Sequence, residues 1–526
     1  MAKRSLRASQ AGIRQAKKAF TRKGWTQENL AFEVNLKTRQ PIWRFFTGQP
    51  IERYIFIEIC SILELNWREI ADNPPAETLE TGEKSATHIN ALVQQVRSQR
   101  RDKIQDQCGI LQLLEVSRPV NLEEIYVEAN ILEEIASQQW LETRDIQNLT
   151  LKDFENVSLG SAFPKRIMAM RAVESYPKLR ILGNPGAGKT TFLQHIAIKC
   201  NQGEFAGNRV PIFISLKDFT EESKDSGEFS LLNYIRSEFL VSGIAEPSII
   251  DTLLREGRVL LLLDGLDEVL NSHLNAVYQE IRRFTEKYHK NLFVATCRTA
   301  AKSFNFKGFT DVEIASFSAD QITLFAHKWF MTLTKPHIRD RREQAIQFIR
   351  KLDLPENLRL RQLVVTPLFL HLACGVYARQ NQVPSQESEF YKQCLDLMLG
   401  KWDEIRGIQR DEVSNGLELP HKLRLLSQIA AMTGENGQYF FDKQTIEQKI
   451  SDYICQLPNA PTEPEELQLE SEGILKAIEL QHGLLIERVR GIFSFSHLAF
   501  QEYLAARRSP TPNQSNVSRL ENIAMV

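Results

Sequence analysis

The run Gly183-Asn184-Pro185-Gly186-Ala187-Gly188-Lys189-Thr190 has the residue types and spacing needed to hold a chain of phosphates. Its glycines let the backbone turn so that successive N–H groups point inward, and the positive end of a following helix adds to the attraction. In the pattern GxxxxGK[ST] the lysine, here Lys189, reaches the β- and γ-phosphate oxygens. The hydroxyl, here Thr190, ligates Mg²⁺. Thr191 continues the first helical turn. The loop follows the apolar run 179–182 and opens a helix-like stretch, which is the strand–loop–helix setting such a loop requires.

A second element lies downstream. The apolar run 259–263 ends in Asp264, followed by Gly265-Leu266-Asp267-Glu268. A carboxylate at the carboxyl end of a buried strand is placed to hold the water shell of Mg²⁺. In many phosphate-loop proteins of the additional-strand type, the acid that polarises the attacking water directly follows that aspartate. Gly265 takes the place here, so the role passes to Asp267 or Glu268, of which Glu268 is preferred. Arg298 closes a third apolar run, 292–296, and is positioned to sense a γ-phosphate.

These residues need a rigid edge to stand on. The runs 179–182, 210–216, 259–263, 292–296 and 312–314 alternate with helix-like stretches. Five such runs predict buried strands in a parallel, doubly wound α/β sheet. The apolar run 210–216 lies in sequence between the two motifs, which suits the additional-strand type of P-loop NTPase. After residue 317 the sequence reads as helical to about 506, with β-like breaks at 484–487 and 491–495. At 526 residues the chain exceeds the roughly 250–300 at which single cores stop growing, so several domains are expected.

The net charge of −1 hides an asymmetry: residues 1–53 hold twelve Lys/Arg against three Glu, a net of +9. That end is a candidate for an anionic partner. Seven scattered cysteines form no CxxC pair, which argues against a zinc site or disulfide framework and for a reducing, cytoplasmic setting. No apolar run approaches the roughly 20 residues that span a bilayer. Short helices are expected over residues 8–20, from Thr26, over 39–46 and over 51–63. A Pro-, Glu- and Thr-rich linker follows at 72–90, then polar helix at about 89–107.

Together, GNPGAGKTT, LLLLDGLDE and ATCRT resemble the NACHT family of signal-transducing ATPases, with DGLDE the most specific piece. The segment 318–330 followed by Leu363-Val364-Val365-Thr366-Pro367 looks like that family's helical domain, which implies that Pro367 touches adenine. Residues 493–506 look like its winged-helix motif FxHxxFQEYxAA, which implies that His497 contacts an ADP phosphate and holds a closed form; a core histidine is the alternative reading. Upstream, residues 24–48 resemble a repressor-type helix-turn-helix, in which Leu30, Ala31 and Val34 pack on Ile42 and Phe45. Lys37, Arg39, Gln40 and Arg44 then face DNA, with Lys17, Lys18, Arg22 and Lys23 on phosphates. The alternative is a small helical adaptor.

On this reading residues 1–72 form a helix-turn-helix-like domain and 73–107 a linker with a helical segment. Residues 108–170 precede the NACHT nucleotide-binding domain at 171–316. A helical domain (317–385), a winged-helix domain (386–508) and a polar tail (509–526) follow. The arrangement is similar to bacterial, particularly cyanobacterial, NACHT proteins, some of which act in defence against phage. The resemblance implies an ATP/ADP switch with Mg²⁺ and slow hydrolysis, closed with ADP and self-associating with ATP. A nucleotide-regulated DNA-binding transcription factor is the rival. Relatives usually continue into a long C-terminal sensor, whereas this sequence has 18 residues after the winged helix. Either the sensing part is absent, or the chain is truncated or relies on another subunit, which leaves the trigger open. Lys189→Ala should abolish nucleotide binding, read by isothermal titration; wild-type affinity in the mutant contradicts the phosphate-loop assignment.

Overall fold

Capping residues set the first helices. Ser9 accepts a hydrogen bond from the Gly12 N–H and starts α1 (Gln10–Lys23). Thr26 and Asn29 cap each other reciprocally ahead of α2 (Gln27–Glu33). Next come α3 (Gln40–Phe46), α4 (Arg53–Ile62) and α5 (Trp67–Ile70), while β1 (Ser5–Leu6) pairs antiparallel with β2 (Ile51–Glu52). Leu30, Ala31, Val34, Ile42 and Phe45 are buried in one core with Phe56 and Ile59. The same periodicity leaves Gln40, Trp43, Arg44 and Thr47 exposed on the outer face of α3. Arg39 pairs with Glu28 at 3.3 Å on the surface.

The computed structural model describes residues 5–34, 36, 38–63, 65–72, 80–132, 166–299, 306–333, 341–383, 388–401, 417, 419–435, 439–457, 460–489 and 491–508. Lys37, residues 133–165, which make up most of the expected 108–170 region, and the tail 509–526 lie outside these. The chain divides into two units, Met1–Ala91 and Leu92–Val526.

One expectation changes at the linker. α6 runs from Glu80 to Cys108, beginning well before residue 89. The last proline is Pro75, and weak helix formers such as Thr81 and Gly82 lower propensity without forbidding the helix. Its later turns pack on the sheet domain. Arg97 donates to the carbonyls of Asn201 and Gly207, each at 2.7 Å. Arg100, 1% exposed, lies over the Phe239 ring at 4.2 Å, and its guanidinium nitrogens have no hydrogen-bond acceptor among the described residues. Burial pulls its pKa down to about 10.

The central sheet has seven strands in the order β6-β5-β11-β7-β10-β9-β8. The five expected apolar runs are β7 (Lys178–Leu182), β8 (Val210–Ser215), β9 (Val259–Asp264), β10 (Leu292–Cys297) and β11 (Thr310–Ile314), all parallel. Two antiparallel strands extend it, β5 (Asn130–Leu132) on β11 and β6 (Arg166–Met168) on β5. Three residues each are too short to show a period, so the sheet is mostly rather than wholly parallel. The strand inserted between the phosphate-loop strand β7 and the acid-ending β9 is β10, and the 210–216 run takes the edge as β8.

Before β5 the chain folds into a strap. β3 (Ile110–Leu111) pairs with β4 (Val120–Asn121), and the short α7 (Leu122–Ile125) follows. Val120, Ile125 and Val127 are buried with the C-terminal helices, whereas Leu122, Ala129 and Ile131 belong to the core of the sheet. Beyond the sheet, helices and a three-stranded β12-β14-β13 sheet (Phe441–Asp442, Ile492–Phe495, Leu485–Val489) share one continuous core. The two expected β-like breaks are β13 and β14; β12, only two residues long, was not foreseen.

The DNA expectation is tested on residues 1–72 alone. Their affinity for duplex DNA should fall at least about tenfold between about 50 and 200 mM salt. A flat salt dependence favours the adaptor reading.

Candidate functional site

Parallel pairing sets the site. Ser215 is in register with Asp264 and Cys297 with Leu182, so the strands end together on one edge of the sheet. In open α/β sheets ligands bind at that carboxyl edge. A cavity of about 340 Å³ opens there. The loop from Pro185 to Thr191 lines one side, and Asp264, Asp267, Glu268 and Arg298 line another. Gly183 and Asn184 sit behind the lining, and their carbonyls accept from Lys189 Nζ at 2.8 and 3.1 Å.

Asp264 is buried at the end of β9. Its Oδ1 accepts from Thr190 Oγ1 at 3.1 Å and from Thr296 Oγ1 at 2.6 Å. The Thr296 hydroxyl in turn accepts the Gly265 N–H at 2.9 Å. Thr296 therefore orients the carboxylate, a role that sequence reading did not assign. The available signal was a hydroxyl at the end of an otherwise apolar strand. A hydroxyl and a carboxylate oxygen side by side are hard ligands of the kind Mg²⁺ prefers, so Thr190 and Asp264 fit that ion as a pair. Burial lowers the pKa of Lys189, with Asp267 and Asp264 opposing the shift and Arg298 adding to it.

The two acids after Gly265 are separated by geometry. Arg298 Nε pairs with Asp267 Oδ2 at 2.8 Å, and the Arg298 N–H donates to Asp267 Oδ1 at 3.0 Å. Both residues are almost wholly buried. Asp267 thus fixes the arginine at the cavity wall. Glu268 stands in the same short 3₁₀ turn, Leu266–Glu268, and its carboxylate folds back over Gly265. A Cβ at Gly265 would lie 2.9 Å from Glu268 Oε2, and φ there is +78°. The absence of a side chain at Gly265 is what lets Glu268 take this position.

The other end of the cavity is apolar, with Leu111, Leu114, Tyr126, Phe317, Phe325 and Pro367 on its wall. Pro367 begins the helix Pro367–Gln380, and the next residue, Leu368, donates its N–H to the Gly186 carbonyl at 3.3 Å. The strap residues were not expected in the site. In sequence they read as ordinary core side chains. His497 is not among the residues lining the cavity. Its ring packs edge-on against Phe369 and Phe500, at 5.5 and 5.6 Å between centroids. Burial and the nearby Arg488 push its pKa down to about 3, so the ring is neutral. These contacts are those of the core-histidine alternative.

A phosphate loop at a strand–helix junction, an acid on a non-adjacent strand and an inserted strand between them define a P-loop NTPase. Its kind follows from the comparisons. Residues 178–332 match the NACHT domain, and residues 387–509 match the winged helix-turn-helix domain C-terminal to NACHT. The chain carries a NACHT NTPase domain with its C-terminal winged helix. It is similar to NLR family CARD domain-containing protein 4 of Mus musculus, 26% identical over 338 residues, 62% of this chain and 28% of that protein. The Xenopus tropicalis protein of the same name is 24% identical over 341 residues, 62% and 29% of the two chains. The matched region thus spans under a third of these relatives. Among solved structures, the Aeropyrum pernix Orc1 protein in complex with DNA aligns at 14% identity and a TM-score of 0.30, covering 75% of this chain and all of that one. Domain III of the Thermotoga maritima replication initiation protein DnaA aligns at 18% and 0.26, over 41% and 85%. No described helix is long and apolar enough to cross a membrane.

Glu268→Gln should leave ATP binding intact and slow hydrolysis by about 10²-fold or more, since an amide cannot take the proton of the attacking water. Asp267→Asn should slow it less. The reverse order in a phosphate-release assay reassigns the base to Asp267.

Proposed function

We propose that this protein is an ATP/ADP-switched signalling NTPase of NLR type, closed with ADP at rest and self-associating when ATP replaces it. The observation that carries the reading is the seat of the winged helix on the phosphate loop. A Cβ at Gly483 would lie 2.8 Å from the Pro185 ring. Residues nearly 300 positions downstream therefore press on the loop that holds the phosphates, and the Leu368–Gly186 bond ties the helical domain to the same loop. A ligand shifts a two-state equilibrium only by its different affinity for the two states. Contacts made directly on the loop give the γ-phosphate something to disturb.

In this reading Lys189 meets the β- and γ-phosphates, Thr190 and Asp264 hold Mg²⁺, and Glu268 takes a proton from water. Arg298, held by Asp267, stands where added negative charge at the γ-position pulls it from its partner. Bound Mg²⁺ supplies charge neutralisation at the phosphates. Pro367 and the strap receive the base. Hydrolysis is slow and resets the switch. His497 acts through Phe369 on the Pro367–Gln380 helix; a direct phosphate contact needs its ring to leave the Phe369–Phe500 packing. The resemblance of the sequence to bacterial NACHT proteins supports a role in antiphage defence.

A nucleotide-regulated DNA-binding regulator is a second reading. It draws support from the exposed Gln40, Trp43 and Arg44 on α3 within a segment of net charge +9. Sequence-specific operator binding favours it; nucleotide-dependent assembly without base preference favours the first.

Gly483→Ala should force the winged helix off Pro185 and yield ATP-dependent assemblies by light scattering, whereas the wild-type chain stays monomeric and co-purifies with ADP. Gly491→Ala is the control. Gly491 has φ +82°, against +61° at Gly483, with nothing within 4 Å of an added Cβ, so it carries backbone strain without the clash. Equal loss of melting temperature in both, with assembly in neither, contradicts the closed-state reading.

A further inference from the structure

The apolar wall of the cavity is made partly of strap residues 111–114, and a strained residue follows them. The next residue, Glu115, has φ +58°, in the left-handed region that a side chain disfavours. Such backbone persists only where its surroundings over-determine it. Two residues of the Pro367–Gln380 helix reach this turn, one at its surface and one from the buried side. Arg379 pairs with Glu115 at 3.0 Å, and His371 Nε2 lies 2.8 Å from the Leu114 carbonyl oxygen.

The state of the His371 ring follows from its other partner. Trp329, on the helix Ala319–Leu333, brings its Nε1 within 2.9 Å of His371 Nδ1. An indole N–H only donates, so Nδ1 is the acceptor. The single proton of the neutral ring then sits on Nε2, where it donates to Leu114. Both side chains are about 95% buried, and burial lowers the histidine pKa, which keeps the ring neutral. His371 also lines the cavity itself. One imidazole thus joins the strap and two helices of the C-terminal half, with every polar atom used.

We propose that His371 is a positioning residue for nucleotide recognition: by donating to Leu114 it fixes the 111–114 backbone as the wall against which the base end of the ligand packs, and Trp329 keeps the proton on the nitrogen that makes this bond. The proposal rests on the nucleotide-switch reading above. It separates the two ends of the cavity, because the same helix meets the phosphate loop at Leu368 and the strap at His371.

The test is isothermal titration of the full chain, first stripped of any co-purified nucleotide, with two probes, ADP and inorganic tripolyphosphate, the second reaching only the phosphate end. His371→Leu should weaken ADP about tenfold or more while tripolyphosphate stays within about twofold. His371→Gln, whose Nε2 extends to where the ring Nε2 stands, should restore most of the ADP affinity. Trp329→Phe keeps an aromatic ring but leaves Nδ1 without its donor, and should show the same split in weaker form. It serves as the readout should the leucine variant fail to fold. Parallel loss of both ligands marks a merely structural role and overturns the proposal, as does unchanged ADP affinity in both the leucine and phenylalanine variants. A wild-type chain that binds tripolyphosphate but shows no preference for ADP overturns it as well. If the wild-type chain binds neither probe, the nucleotide reading itself falls, and this assignment with it.

Discussion

A carboxylate buried at the end of a strand has to be satisfied by whatever surrounds it, and Asp264 is satisfied from separate elements. Thr190 comes from the first turn of the helix Lys189–Gln202, Thr296 from β10, and Gly265 adds its N–H to the Thr296 hydroxyl. An unpaired buried charge costs several kcal/mol, typically about 3–5 when one partner is removed. The phosphate loop, the acid-bearing strand and the inserted strand are therefore held in one relative position before any ligand arrives. The insertion of β10 between β7 and β9 contributes to this, since it brings the Thr296 hydroxyl onto the acid and onto the Gly265 N–H that follows it.

Around that fixed edge lie two cores, that of the sheet and that of the C-terminal helices, and the strap crosses from one to the other. Leu122 and Ile131 are buried with the sheet, Val120 and Ile125 with the C-terminal helices. Lys328 donates to the Tyr126 carbonyl and Gln321 to the Glu128 carbonyl, each at 2.6 Å, so a row of side chains from one helix grips successive carbonyls of the strap. The polar end of the cavity thus belongs to the sheet, while the apolar end draws on both cores: Tyr126 packs on the sheet, Leu114, Phe317 and Phe325 on the helices, and Leu111 on both.

The sequence made the first of these ends plain and the second almost invisible. Strands buried on both faces appear as continuous apolar runs, and glycine, lysine and carboxylate types in the motifs have few other uses, so the parallel strands and the residues from Pro185 to Glu268 could be located from residue types alone. The wall at residues 111–127 works through backbone carbonyls and through Leu, Ile and Tyr side chains that are common in any core, and its partners lie some 200 positions away. No local pattern encodes such a meeting. β5, β6 and β12 are two or three residues long and show no period. The split between Asp267 and Glu268 depends on Arg298 approaching from a different strand, and His497 depends on Phe369, so neither assignment could be read from spacing.

Arg97 and Arg100 stand one helical turn apart on α6 and are treated in opposite ways. Arg97 sits on carbonyls at the far end of the helix that begins with Lys189, while Arg100 is desolvated over Phe239 without an acceptor. Separation at Arg97 breaks two charge-assisted bonds, whereas separation at Arg100 returns a guanidinium to water and recovers its hydration. The seam is pinned at one point and preloaded at the next. In mechanical terms the two arginines make the contact between this stretch of α6 and the sheet domain uneven, costly to part at Arg97 and cheap to part at Arg100.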